Sequence, residues 1–360
     1  MSSSMKEPKQ KRKKAVTAAD VAALAGVNRS AVSVVLNGAK ANTGVSATTR
    51  ERILKAAAEL NYVADPHAQR LAGRQARPVV AIFNPQVFAG TTLDKLLAIQ
   101  RTLEAVGFDA PIYSGDGQEQ VHLSSLQRIR QQRPSAVLCF TMSQFDSVLS
   151  QLEQFQREGV TVVCYDYAVD LECDQVIFDR ADNTYQATKY LLNEGHRQIG
   201  FFYSGPVTHS HLEINSRYAG YVRALNEYRV TPRAQWCFSG ESNEKGGSLL
   251  AEEILNLKQR PTAMCIVNET VAWTFMQQVA RAGVQVPHDL SVVSHDDLPI
   301  ASYTAPPLTT MSHPVWEIAS AVTELVKSRL MENDAGSPRQ VVLRGQLVER
   351  ESVQKLLPDG

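Results

Sequence analysis

Residues 16–62 constrain the fold of this chain more than any other stretch, because short helical patterns alternate there with residues that end helices. Thr17 is placed to cap a first helix, and Gly26 is placed to end it in the left-handed conformation. Asn28 is placed to cap a second helix, which the apolar spacing predicts over about 29–36. A helix, a short turn with glycine and a second helix form the layout of a helix-turn-helix unit.

A third helix is predicted after Ser46, so the stretch reads as a small three-helix bundle. Its expected core consists of apolar residues at three- or four-residue spacing: Val32, Val35, Leu36, Ile53, Ala57 and Leu60. The opposite face of the second helix carries Arg29, Ser30 and Ser33, near the helix end that enters a major groove in this motif. The pattern alone leaves two interpretations open, a DNA-binding head and an ordinary bundle with a polar surface.

The distribution of charge favours the DNA-binding interpretation. Residues 1–77 hold 14 Lys and Arg against 5 Asp and Glu, whereas the rest of the chain holds 23 against 32. A basic head on an acidic body fits a polyanionic partner for the head. The segment 1–15 is expected to be a disordered basic arm, which either adds phosphate contacts or is a solvated tail without a role.

The motifs DVAALAGVNRSAVSVVLNG and TRERILKAAAELNY resemble the head of the LacI/GalR family of bacterial transcriptional regulators. Similar family motifs follow in order as YLLNEGHRQIGFF, SRYAGYVRAL, RPTAMCIVNE and LSVVSHDDLPIASYTAPPLTTMSHP. The resemblance implies a sequence-specific repressor that binds a palindromic double-stranded DNA operator as a homodimer. It also implies control by a small-molecule effector, a sugar, sugar acid or sugar phosphate, in a cleft between two subdomains.

From residue 79 onward, strand and helix patterns alternate, which is typical of parallel α/β sheets. The expected fold is therefore an N-terminal all-α helix-turn-helix head followed by an α/β core, and the resemblance makes this core periplasmic-binding-protein-like, with two doubly wound parallel-sheet subdomains. The expected domains are an arm at 1–15, the head at 16–62, a hinge at 63–78 and the core at 79–354. Within the core, 79–177 and 306–338 are assigned to the first subdomain, and 178–305 and 339–354 to the second.

The hinge segment 63–78 contains the helix-start signal Asp65-Pro66. A helix of about two turns is too short to persist alone in water, so it should form only when docked. The resemblance implies that two such helices pair in the minor groove, where Leu71 wedges between base steps beside the small Ala68. The alternative is that Leu71 packs on the head.

The predicted DNA contacts join the head and the hinge: Thr17, Asn28, Arg29, Ser30, Ser33, Ala68 and Leu71. Arg29 is the main candidate for reading a base, because arginine recognises guanine through O6 and N7. Val34 stands where many family members have an arginine, so the operator is expected to depart from the usual family sequence.

The predicted effector contacts are polar or aromatic residues at strand ends and helix starts: Arg217, Asp296, Asn268, Thr141, Asn84, Asp166 and Trp273. Ligands of doubly wound sheets bind beyond the carboxyl ends of the strands. By resemblance, Arg217 and Asp296 contact ligand hydroxyls or a carboxylate. The alternative for the polar residues is that they cap helices or bridge the two halves, and Trp273 is placed either to stack on a sugar or to fill the core.

Several function classes lack support in the sequence. No nucleophile elbow, P-loop, HExxH or GxGxxG motif is present, so no enzyme activity and no cofactor are predicted. Five cysteines without a CxxC pair indicate reduced thiols rather than a metal site, and His209 and His211 lack a third ligand. The absence of a long apolar run and of a signal peptide predicts a cytoplasmic protein. The resemblance implies a bacterial protein associated with the nucleoid. The alternative function is a small-molecule binding module or enzyme without a DNA-binding role.

Overall fold

The computed structural model describes residues 16–37, 44–62, 77–85, 90–115, 117–140, 146–204 and 212–356. The chain divides into two compact units, Met1–Pro78 and Val79–Gly360. The predicted basic arm and residues 63–76 of the predicted hinge, with Ala68 and Leu71, lie outside the described residues, as do Thr141, His209 and His211.

The first unit contains α1 (Ala18–Ala25), α2 (Arg29–Asn37) and α3 (Ala47–Glu59). Thr17 caps α1 through a reciprocal pair of hydrogen bonds with Asp20, and Gly26 ends the helix with a φ of 65°. Val21, Val32 and Ile53 are buried at the centre of the three helices, together with smaller alanines. The local caps therefore confirm the predicted helix-turn-helix bundle.

The second unit contains two six-stranded sheets. The first is entirely parallel in the order β11-β5-β4-β3-β1-β2. Its strands are β1 (Val80–Asn84), β2 (Ile112–Ser114), β3 (Ala136–Phe140), β4 (Thr161–Asp166), β5 (Asp174–Phe178) and β11 (Gln340–Leu343). Runs such as Val-Ala-Ile-Phe in β1 are buried throughout, as expected for a strand covered on both faces.

The second sheet has the order β12-β10-β9-β8-β6-β7, and only β12 runs antiparallel to its neighbour. Its strands are β6 (Ile199–Ser204), β7 (Cys237–Gly240), β8 (Ala263–Ile266), β9 (Ser291–Asp296), β10 (Thr309–Ser312) and β12 (Leu347–Val348). The two orders correspond position by position, so β1 matches β6 and β4 matches β9. Each sheet with its helices is called a lobe below.

Helices cover both faces of each sheet, which is the predicted doubly wound arrangement. The helices of the core are α4 (Thr91–Ala105), α5 (Glu119–Gln131), α6 (Asp146–Arg157), α7 (Arg180–Asn193), α8 (Leu212–Glu227), α9 (Glu244–Asn256), α10 (Glu269–Arg281) and α11 (Val315–Met331). In the first lobe α4 and α11 pack on one face and α5 and α6 on the other. In the second lobe α7 and α8 pack on one face and α9 and α10 on the other.

The structure corrects the predicted subdomain boundaries. Strand β10, which was assigned to the first subdomain, pairs with β9 in the second sheet. Strand β11, which was assigned to the second subdomain, pairs with β5 in the first. The chain crosses between the lobes after β5, after β10 and after β11. The local pattern identified these strands but not their sheets, because a strand's partner depends on long-range packing.

Gly220 allows α8 to lie directly against α7. A Cβ atom at this position would meet the backbone oxygen of Ala181 at 2.0 Å. This close approach fixes the position of the helix α8, which carries Arg217 one turn earlier.

Within the described residues, no single helix has the length and apolar composition to cross a membrane, although the bent pair α1 and α2 passes that test when joined.

Candidate functional sites

The geometry of the head is that of a helix-turn-helix. The bend between α1 and α2 is 106°, within the roughly 90–120° that this motif adopts. Thr17 is exposed at the N-terminus of α1, and its hydroxyl donates to Asp20 Oδ2 at 2.7 Å. The side chain of Thr17 therefore caps α1. The N-terminal end of α1 is exposed to solvent.

The N-terminal turn of α2 presents the predicted base-reading residues. Arg29 is exposed and extends from the first position of the helix. Asn28 Oδ1 accepts hydrogen bonds from the Ala31 backbone N–H at 2.8 Å and from the Ser30 hydroxyl at 2.9 Å. Asn28 thus caps α2, and both Asn28 and Ser30 are exposed. Ser33 is partly exposed one turn further on.

In the core unit, three of the predicted effector residues are the last residues of their strands: Asn84 in β1, Asp166 in β4 and Asp296 in β9. Asp166 and Asp296 occupy matching positions in the two sheets. Both have a positive φ, 88° and 108°, which non-glycine residues adopt only when the surrounding structure imposes it. Such strain is concentrated at ligand sites and switch regions.

Asp166 is fully buried between two cations. Its Oδ2 is 2.7 Å from Lys95 Nζ and 2.8 Å from Arg180 Nη2, and Arg180 also donates to the backbone oxygen of Asp166 at 2.9 Å. Burial alone would raise the pKa of Asp166, but Arg180 and Lys95 lower it below its ordinary value. Asp166 is therefore a carboxylate, and its Oδ1 has no hydrogen-bond partner in the described part of the chain.

Asp296 lies in the same electrostatic environment from the opposite lobe. Burial raises its pKa, while Arg217, Lys95 and Arg180 act in the other direction and Asp166 adds to the rise. Arg217 Nη1 donates to the backbone oxygen of Val267 at 3.4 Å, at the carboxyl end of β8. The structure therefore brings Asp166, Arg217 and Asp296 together between the lobes.

The remaining predicted residues within the described part of the chain have different environments. Asn268 is the N-cap of α10, where its Oδ1 accepts from the Val271 backbone N–H at 3.0 Å, so the helix-cap alternative accounts for that oxygen. Asn84 is fully buried. Trp273 is partly exposed on α10, about one turn after Asn268. Asp297, which follows Asp296 in the sequence, forms an ion pair with Arg350 at 2.7 Å.

Four residues near the cluster were not selected from the sequence: Lys95, Arg180, Glu269 and His313. His313 follows β10 and packs its ring on Phe178, at the end of β5, with 4.0 Å between centroids. Burial lowers the pKa of His313 well below its usual range, and Lys95 and Arg180 lower it further. No local pattern distinguishes these residues, because each is defined by partners that are distant in sequence.

His295, which precedes Asp296 in β9, is packed inside the second lobe. It is buried, and its Nε2 lies 3.9 Å from Cys265 Sγ. Burial and the nearby Arg217 lower its pKa well below the usual range, so the ring is neutral near pH 7.

Among the described residues no group of three or more His, Cys, Asp or Glu side chains is arranged to hold a metal ion.

Glu269 should make the stability of the core decline as pH rises. Burial, followed by the charge of Asp296, raises its pKa to about 8. The folded protein therefore retains a proton that the unfolded chain loses near its ordinary carboxyl pKa, and folding stability falls between these two values. Glu269→Gln cannot ionise, so its melting temperature should rise relative to the wild type above pH 8 and differ little at acid pH.

The control for this prediction is Glu253→Gln, which alters an exposed carboxylate on α9. Its melting temperature should follow that of the wild type across the same pH range. Parallel curves for Glu269→Gln and the wild type would contradict the assignment.

Comparison with known proteins agrees with both units. The family model described as bacterial regulatory proteins of the lacI family matches residues 17–65, and that of the periplasmic binding protein-like domain matches residues 188–353. The chain belongs to the lacI family of bacterial regulatory proteins. The first model covers the helix-turn-helix head, and the second covers the chain from within α7 to beyond β12.

Relatives of this LacI-family chain match along nearly its whole length. The HTH-type transcriptional repressor PurR of Aliivibrio salmonicida is 26% identical over 342 residues, covering 94% of this chain and 99% of that protein. The ribose operon repressor of Haemophilus influenzae is 28% identical over 343 residues, with the same coverage of 94% and 99%. A crystal structure of the lac repressor dimer bound to operator and the anti-inducer ONPF aligns with a TM-score of 0.80 at 25% identity, covering 95% of this chain and 100% of that chain.

Proposed function

We propose that this LacI-family regulator is a repressor that binds an approximately palindromic operator as a homodimer in the bacterial cytoplasm. A small molecule of the sugar or sugar-acid class, bound between the two lobes, would control its affinity for DNA. The similarity to two repressors and to an operator-bound repressor dimer supports this proposal.

The observation that carries the DNA-binding role is the exposed N-terminal turn of α2 within a helix-turn-helix. Arg29 extends from this turn, while the Asn28 side chain accepts from the Ala31 backbone N–H at the helix start and from the Ser30 hydroxyl. Helices of this motif place their N-terminal residues against base edges in the major groove. The basic charge of residues 1–77 would supply the attraction for phosphates that precedes specific contact.

Exposed apolar side chains on the core support a homodimer. Leu93 and Leu97 lie one turn apart on α4, and Trp316 lies at the start of α11, which packs beside α4. On the second lobe Tyr303 is 82% exposed. A two-fold contact through such residues would remove them from water and place two heads on two half-sites.

Control by an effector would operate through the angle between the lobes. The charged cluster takes groups from both lobes, so a ligand bound there would favour the lobe arrangement that fits it best. In the proposed mechanism this arrangement sets the spacing of the two hinge segments 63–78. That spacing in turn determines whether their helices form and place Leu71 in the minor groove.

Arg29→Ala tests the proposed DNA contact. The operator is first selected from random duplexes with the wild-type protein, and affinities are then measured by fluorescence anisotropy at constant salt. The variant should lose about 1–3 kcal/mol on the selected operator and accept more bases at one position of each half-site, because a bidentate contact with guanine is lost.

Lys258→Ala serves as the matched control, because it removes an exposed positive charge from the core rather than from α2. Its operator affinity should equal that of the wild type. An equal loss by Arg29→Ala on the operator and on random DNA would make Arg29 a phosphate contact. If no sequence is enriched from the random pool, the chain acts as a binding module without sequence-specific DNA recognition, and the proposal fails.

A further inference from the structure

Arg180 connects the two lobes through a buried side chain. Its backbone begins α7, which packs on the second sheet. Its side chain is 6% exposed and binds the first lobe, where Nη2 donates to Asp166 Oδ2 at 2.8 Å and Nη1 donates to the backbone oxygen of Asp166 at 2.9 Å. Arg180 therefore belongs to the second lobe by its backbone and to the first lobe by its guanidinium.

Aromatic rings of the first lobe contact the same guanidinium. Its Cζ lies 3.5 Å from the ring centroid of Tyr167, which follows β4, and 5.1 Å from that of Phe178, which ends β5. The attraction between a guanidinium and a ring face is stronger where water is excluded. The hydrogen bonds of Arg180 to Asp166 and its packing on the two rings are together called the interlobe contact below. A rotation that moved α7 away from β4 would break these hydrogen bonds and uncover the rings.

Lys95 allows the interlobe contact to break without leaving Asp166 unpaired. Lys95 lies on α4 in the first lobe, and its Nζ is 2.7 Å from the same Asp166 oxygen. Burial lowers the pKa of Lys95 and the charge of Asp166 opposes this, but the nitrogen has an N–H to donate in either protonation state. Removing one partner of a buried ion pair is costly because it leaves an uncompensated charge. Asp166 avoids that cost, because Lys95 stays beside it when Arg180 moves.

The interlobe contact lies where the chain passes between the lobes. Asp179, which precedes Arg180, donates its backbone N–H to the oxygen of Leu343, at the end of β11, at 2.9 Å. The ring of His313, in the crossing after β10, packs on Phe178 with 4.0 Å between centroids. The three crossings are thus linked to Arg180 or to a ring that it contacts. These interactions are made by the protein alone, so they join the lobes before any ligand binds.

We propose that Arg180 fixes the angle between the lobes in the ligand-free protein, through its buried contact with Asp166 and the ring of Tyr167. The Oδ1 atom of Asp166 has no hydrogen-bond partner in the described part of the chain, so a ligand hydroxyl can bind the residue that Arg180 holds. Occupancy of the cleft then acts on the contact that sets the lobe angle. This inference rests on the proposed effector-controlled repressor and names the side chain through which its cleft is coupled to the lobe angle.

Distances between spin labels on the two lobes test this inference in the full-length protein without ligand. The labels are attached at two exposed positions, Glu153→Cys on α6 and Glu253→Cys on α9. A Cys237→Ser background removes a partly exposed thiol. Labelled chains are diluted with excess unlabelled chains, so that pairs between subunits contribute little. The wild type should give one narrow distance distribution, and two equally populated distances would overturn the proposal.

Arg180→Met should populate a second lobe arrangement at least about tenfold above its level in the wild type, because charge-assisted hydrogen bonds across the lobes are lost. Methionine fills the space between the rings, and Lys95 remains paired with Asp166, so the variant is expected to fold. A distance distribution equal to that of the wild type would overturn the proposal.

Arg223→Met is the matched control. Arg223 also pairs with a carboxylate, that of Asp182 at 3.0 Å, and its Cζ lies 3.8 Å from the ring centroid of Tyr185. Both of these partners belong to the second lobe, as Arg223 does, so its distance distribution should match that of the wild type. A second arrangement in this control as well would show that the effect is not specific to Arg180, and would overturn the proposal.

If Arg180→Met does not fold, Tyr167→Leu carries the test. It removes the ring on which the guanidinium lies and should raise the population of the second arrangement about threefold or more. An unchanged distribution would overturn the proposal.

Operator binding by the ligand-free wild type is measured on the same preparations. Intact operator binding together with an unchanged distribution in Arg180→Met would reject this inference alone. Absence of operator binding would reject the proposed repressor function, whatever the distances between the lobes.

Discussion

Replacing Asp174 with alanine should lower the free energy of unfolding of the core by about 1–3 kcal/mol, because it removes the carboxylate that the partly buried Arg329 guanidinium binds. Both oxygens of Asp174 bind Arg329, at 2.7 and 2.9 Å, and Oδ1 also accepts from the Arg339 backbone N–H at 2.8 Å. These contacts join β5 to the end of α11 and the start of β11. The variant loses three connections at the edge where the chain returns to the first sheet.

The same network should make the core sensitive to acid. Burial alone would raise the pKa of Asp174. Hydrogen bonds from the Arg329 side chain and from the Arg339 backbone N–H, together with the positive charges of both arginines, lower that pKa. A carboxyl whose pKa is lower in the folded state stabilises the protein above its unfolded pKa, and that contribution is lost as pH falls through the folded value. The difference in unfolding free energy between wild type and Asp174→Ala should therefore be full at neutral pH and shrink below about pH 4.

Urea unfolding monitored by circular dichroism measures both effects. The control is Glu241→Ala, which breaks an exposed pair with Lys245 and should leave the urea midpoint close to that of the wild type. If Asp174→Ala and Glu241→Ala were equally mild, the buried network would not hold the first lobe together.

Arg217→Ala should eliminate the response of operator binding to the effector. The guanidinium lies beside Asp296 between the lobes, and it is the cation that the second lobe contributes on α8. Truncating one partner of a buried charged hydrogen bond costs about 2–5 kcal/mol of binding energy. The dissociation constant for the effector should rise accordingly, and effector concentrations that saturate the wild type should leave DNA binding by the variant unchanged.

Arg223→Ala is the matched control on the same helix. Arg223 is exposed and pairs with Asp182 at 3.0 Å on the surface. Its removal should leave the effector response intact. A wild-type response from Arg217→Ala, measured by anisotropy with and without effector, would show that Arg217 does not contact the ligand.

The head was the part of the fold most fully predictable from the sequence. Its helices begin at Thr17, Asn28 and Ser46, whose side chains cap backbone groups within three residues. A left-handed glycine ends the first of them. Because these signals act locally, they can be read from the chain without knowledge of tertiary contacts.

The sheet assignment of β10 and β11 could not be read in the same way. Both strands carry ordinary strand patterns, but their partners lie in β9 and β5, at very different distances along the chain. A boundary drawn from the order of elements therefore placed each of them in the wrong lobe.

The candidate cleft could be predicted only in part. Asp166 and Asp296 follow from the rule that ligands bind at the carboxyl ends of parallel strands. Lys95 was missed because a lysine on an amphipathic helix is normally solvated. Its burial depends on a carboxylate 71 residues away, and no pattern within α4 indicates that partner.

The three crossings between the lobes have a consequence for synthesis on the ribosome. The first sheet is not complete until β11 has been added beside β5, and α11 must also arrive to cover its face. At about 5–20 residues per second, the roughly 160 residues between β5 and β11 take about 10–30 s to make. During that interval the nascent first lobe exposes the open edge of β5 and an uncovered apolar face. We therefore expect the first lobe, which is translated before the second, to need protection by a chaperone for longer than the second lobe does.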